Sequence, residues 1–157
     1  KLFELICWEK ETQSKKKDMK IELTRLNDQV AFNAKSESGQ NIVLDGSKEI
    51  GGEGLGMRPM ETLLASLASC ASIDTLMILK KKRVKLEQYS VEVNAIRTEK
   101  PPTEFSSIHL DFMIGINDPI DIVEDVVKLS MESYCSVAAS LSEKINVTYK
   151  VLGMLKA

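Results

Sequence analysis

Two cysteines stand in surroundings where a thiol could do chemistry: Cys70 in "RPMETLLASLASCASIDTLMILKKKR" and Cys135 in "KLSMESYCSVAASLSEK". A thiolate is a nucleophile and can be oxidised, but it needs a cation, a hydrogen-bond donor or a helix N-terminus to form near neutral pH. Without such help a buried cysteine is a small hydrophobe. Cys70 lies about three turns inside an apolar helix, beyond the reach of the dipole at its start, so a cation must come from elsewhere in the fold. Cys135 follows Ser133, which can cap a fresh helical segment after a kink and so place the thiol in a first turn. Local physics therefore predicts Cys135 to be the more easily activated thiol. Neither cysteine has a second ligand at metal-site spacing, so no metal is expected. Cys7, beside Trp8, has no evident partner.

The elements that must position these thiols are legible in the pattern of the chain. Residues 1–18 end in a polar, basic run and read as an N-terminal extension; residues 19–157 read as one domain, long enough to bury its own core. "KIELTR", "VAFNA" and "NIVLD" alternate with period two and predict three short strands. "DGSKEIGGEGLGM" holds five glycines between Asp45 and Gly56 and predicts a loop in close backbone contact with something. It lacks the Gly-Lys-Ser/Thr ending of a phosphate loop. Pro59 suits a first helical turn, and Lys80 to Arg83 suit the last turns of a helix ending near Arg83. Two longer strands follow. In the second, Ile108, Leu110, Phe112 and Ile114 share one face, while His109, Asp111 and Met113 share the other. A second helical region begins near Ile120 with Ile122, Val123, Val126 and Leu129 as its apolar stripe, and "NVTYKVL" closes the domain.

This order predicts an α+β fold with antiparallel strand pairing. The first helix is apolar nearly all round and must be covered on more than one side, which a subunit interface would supply. With 21 basic and 23 acidic residues, the chain has no general field for nucleic acid or an anionic membrane. Glu61, Asp74 and several hydroxyl residues interrupt the apolar helix, so no membrane span is expected. The cysteine usage suits a reducing cytoplasm.

The glycine-rich "GGEGLGMRPMETLLASLASC", followed 65 residues later by "SYCSVAASL", resembles the OsmC/Ohr family, in its OsmC-like branch, over about residues 19–152. The resemblance implies an intertwined homodimer, with antiparallel sheets wrapped around two long central helices and no cofactor. In the peroxidase members, the first cysteine attacks the O–O bond and the second condenses with the resulting sulfenic acid; a dithiol reductant reopens the disulfide. Carried over, Cys70 is peroxidatic and Cys135 resolving. The peroxidases also carry a glutamate ten residues before the first cysteine, paired with an arginine from the N-terminal strands. Here that position is Met60, and nine steps put Glu61 on the opposite side of an ideal helix from Cys70, where it could contact another subunit.

Arg25 and Arg58 are the candidate activating cations, and Leu67 and Met77 the candidate lining of an apolar substrate pocket. The expected activity is reduction of organic hydroperoxides by a dithiol in oxidative stress defence. The alternatives are a binding or redox-sensing protein that holds an apolar small molecule without turnover, or a pair of thiols that merely pack.

Overall fold

The computed structural model describes residues 18–117, 119–141 and 145–153. The N-terminal extension and Cys7 lie outside the described residues. Backbone contacts divide the chain into two units, with the boundary between Arg58 and Pro59.

The first unit holds a three-stranded antiparallel sheet of β1 (Ile21–Arg25), β2 (Phe32–Ser36) and β3 (Asn41–Leu44), in that order. The expected meander is therefore present. Register places Ile21, Leu23 and Arg25 beside Ser36, Ala34 and Phe32, and Ala34 beside Ile42, so these residues share one face. Ile21, Leu23 and Ile42 are more than half exposed on that face.

The glycine-rich loop encloses the chain's own anion. Asp45 is buried, and its carboxylate accepts N–H groups from Gly46 (2.7 Å), Glu53 (2.9 Å) and Leu55 (3.0 Å). Gly54 supplies the left-handed turn between two of these donors, with φ at 76°. A Cβ on Gly56 would come within 2.2 Å of the Val43 carbonyl, where Met57 bridges to Leu44. The Leu55 N–H does most to hold the Asp45 carboxyl below its ordinary range, against the opposing effect of burial. A depressed folded pKa contributes stability that is present above the ordinary value and lost as pH falls through the folded one. Asp45→Ala should therefore speed amide exchange at Glu53 and Leu55 on the order of tenfold at neutral pH, and wild type should converge on it as acid protonates the carboxylate.

The second unit opens with α1 (Pro59–Lys81), followed by β4 (Leu86–Arg97), β5 (Phe105–Ile116), α2 (Asp121–Leu129), a π turn at Ser130–Tyr134, α3 (Ser136–Leu141) and β6 (Asn146–Gly153). α1 ends at Lys81, two residues before the expected end near Arg83, and it stops because Arg83 turns left-handed, with φ at 60°. The Val84 N–H donates to the Leu79 carbonyl and the Arg83 N–H to that of Lys80, both at 3.1 Å, the pairing of a Schellman cap. Glycine is preferred there, so Arg83→Gly should raise unfolding stability by about 1 kcal/mol, read as a higher denaturant midpoint.

β4 and β5 pair antiparallel, but β6 joins β5 in parallel. The helical crossover between them permits this direction, which a hairpin would not. The expected inward row of β5 is confirmed: Ile108, Leu110, Phe112 and Ile114 are all fully buried. His109 faces outward as expected, with Nδ1 2.7 Å from Thr148 Oγ1 and Nε2 3.4 Å from Asp111. Leu67, Ala71, Thr75 and Leu79 give α1 a buried stripe at i, i+4, i+8 and i+12. Val123, Val126 and Val127 are the buried residues of α2; Ile122 and Leu129, expected in its stripe, lie at its margins. By length and composition α1 matches a membrane span despite Glu61 and Asp74; its buried stripe makes it a core helix of this unit. Ile73, Leu76 and Met77 remain exposed on it.

Candidate functional site

The second helical region is broken where its cysteine stands. The π turn ends at Cys135, whose backbone is extended (φ −67°, ψ 100°), and α3 begins at the next residue. Cys135 is thus itself the residue that caps α3: the Ala138 N–H donates to its Sγ at 3.4 Å. The expected cap, Ser133, lies within the π turn and is exposed.

This placement works against the expected activation of Cys135. Cys135 is only 2% exposed, whereas Cys70 on α1 is half-buried. Burial is the largest influence on the Cys135 thiol and pushes it up to about 11, outweighing the Ala138 N–H. The nearby Cys70 thiol adds to the rise by hydrogen bonding and by charge. Both are free thiols. A helix start favours the Cys135 thiolate, but the core closes over that sulfur and burial outweighs the helix.

One residue that the sequence reading missed holds the pair together. Ser130 is fully buried, and its Oγ donates to the carbonyl of Ala71, next to Cys70, at 2.9 Å. Its own carbonyl accepts the Cys135 N–H at 2.8 Å. Ser130 therefore ties the α1 backbone at one cysteine to the backbone of the other. Its signal in the sequence was a lone serine at the end of an apolar stripe.

Cys135 also forms part of the wall of a cavity of about 610 Å³, with Met131, Glu132, Tyr134 and Tyr149 among its lining. The Tyr149 hydroxyl donates to Glu132 at 3.2 Å; burial first, then this carboxylate, raises its pKa. Leu67 and Met77, expected to line a pocket beside Cys70, are not among the residues lining this cavity: Leu67 is wholly buried in the core and Met77 is exposed on α1. Met60 is half-buried and packs on the core, and Glu61 is exposed in the first turn of α1. Of the two candidate cations, Arg25 donates to the carbonyls of Gln29 (3.0 Å) and Asp28 in its own unit. Arg58 lies near Glu49 and helps to lower its carboxyl pKa, after the Ser47 hydroxyl and the Glu49 backbone.

Comparison with known proteins places the chain in a family. The family model described as OsmC-like protein matches residues 51–150, which include both cysteines and the Ser130 bridge. Protein YhfA of Escherichia coli (strain K12) is 35% identical over 121 residues, covering 76% of this chain and 87% of YhfA. Among solved structures, a hypothetical protein from Aquifex aeolicus VF5 superposes with a TM-score of 0.71 at 30% identity, over 88% of this chain and 98% of that one. An organic hydroperoxide resistance protein OsmC from Legionella pneumophila shares the fold, with a TM-score of 0.62 at 17% identity over 85% of this chain and 96% of its own. Sequence and fold thus agree, and the chain belongs to the OsmC-like protein family.

Proposed function

We propose that the protein reduces organic hydroperoxides with a dithiol, in defence against oxidative stress, with Cys70 as peroxidatic and Cys135 as resolving cysteine. The observation that carries this reading is a pair of free thiols of unequal burial whose backbones Ser130 ties together. The half-buried sulfur is the one a peroxide can reach. The buried sulfur is kept as a thiol beside it until a sulfenic acid forms. The name of the Legionella neighbour supports a peroxide-related role.

The protein acts in this reading as a cytoplasmic homodimer. The exposed Ile73, Leu76 and Met77 on α1 and the apolar face of the first sheet are surfaces that a second copy would cover. Arg25 or Arg58 supplies the activating cation, and replacing the operative one with Met should lower the peroxide rate at least about tenfold. The half-buried, apolar Met60 favours the second reading, a binding or redox-sensing protein without turnover. Consumption of cumene hydroperoxide and of hydrogen peroxide, each with dithiothreitol, separates the two. Faster loss of the organic peroxide supports the peroxidase; no loss of either, with both thiols still reduced, leaves the binding reading.

A further inference from the structure

The cavity beside the π turn is built against the end of a long helical run, and its chemistry is that of a cation site. We propose that it binds a small primary amine, held as its ammonium ion with an alkyl or aryl body. The site stands whether or not the thiols turn over peroxide.

The first observation is backbone. α2 and the π turn are continuous from Asp121 to Tyr134, so the negative end of the helical dipole falls at the last residues of that run. The last four carbonyls of a helix have no partner within it. The Ser130 carbonyl takes the Cys135 N–H, but among the described residues no backbone N–H donates to the carbonyls of Met131, Glu132, Ser133 or Tyr134. All four of these residues line the cavity.

The second observation is charge. Glu132 adds a carboxylate to the same wall, where the hydroxyl of Tyr149, another lining residue, donates to it at 3.2 Å. None of the described residues that line the cavity is a lysine, arginine or histidine. An ammonium group brings three N–H donors and a positive charge, which complement a carboxylate and unpaired carbonyls. α3 also begins at this wall, but it has only six residues and its Ala138 N–H already donates to Cys135 Sγ. It offers an anion little.

The third observation is size. At about 610 Å³ the cavity is far larger than a bare ion needs and lies within the range of small-molecule sites. Met131 and Val147 supply apolar surface for the body of the ligand, and the rings of Tyr134 and Tyr149 supply aromatic surface that also attracts a cation.

The test is an amide chemical-shift titration of the isotope-labelled full chain with phenethylamine. Phenethyl alcohol and hydrocinnamate keep the ring but carry a neutral and an anionic head group. The amine is expected to bind about tenfold more tightly than the alcohol, with hydrocinnamate weakest, and to shift amides between Met131 and Ala139 and at Val147 and Tyr149. Glu132→Gln changes an exposed side chain, so the variant should fold, and it should bring the affinity for the amine down to that for the alcohol. Equal affinity for the three head groups overturns the ammonium site, as does a Glu132→Gln variant that holds the amine as tightly as wild type. Absence of a saturable shift at millimolar amine, or shifts confined to other acidic residues such as Glu22, also overturns it.

Discussion

Cys70→Ser is expected to lower kcat/KM for cumene hydroperoxide by at least about 10³-fold, because it removes the nucleophile itself. Cys135→Ser should instead spare the first attack and leave a sulfenic acid on Cys70, trapped by dimedone and read as a mass increment on the α1 peptide. The two variants differ because the structure makes the thiols unequal. Cys135 is 2% exposed and burial pushes its thiol up to about 11, which disfavours its thiolate at pH 8. Iodoacetamide at that pH should therefore modify Cys70 first. Equal loss of activity in both variants with no trapped sulfenic acid, or alkylation of Cys135 ahead of Cys70, would reverse the assigned roles.

Much of the scaffold around this pair was legible from period and caps. The alternation from Ile108 to Ile114 identified the inward row of β5 because a half-buried strand imposes period two. The start of α1 was legible at Pro59 and its end near Arg83 from the run of cations, but nothing marked Arg83 as the residue that turns left-handed, a place that favours glycine. The parallel direction of β6 is set by the crossover before it, not by any pattern in "NVTYKVL". At the site, the kink near Cys135 was anticipated, but its cap was assigned to Ser133. A thiol is a weak acceptor and is not among the preferred caps, so nothing local marked Cys135 for that place. The cavity was missed for a related reason. Its wall joins the π turn and α3 to β6, elements brought together only by the fold, whereas Leu67 and Met77 were chosen for their nearness to Cys70 along one helix.

Ser130→Ala is expected to slow closure of the Cys70–Cys135 disulfide by roughly ten- to a hundredfold, and far more than it slows formation of the sulfenic acid. The magnitude follows from the steepness of proximity effects, in which a displacement of about 1 Å costs about 10²-fold. Ser130 is placed to produce such a displacement. Its hydroxyl fixes the turn to the Ala71 carbonyl beside one cysteine, and its carbonyl holds the N–H of the other. Loss of one such hydrogen bond should cost stability only about 1 kcal/mol, so the variant is expected to fold. Ser130→Thr separates positioning from stability. It restores the hydroxyl but adds a methyl group at a fully buried position, which should cost about 1–3 kcal/mol. If Ser130 positions the pair, stopped-flow closure should recover in the threonine variant even though its unfolding midpoint falls. Closure that simply tracks stability across serine, alanine and threonine would reduce Ser130 to a packing residue.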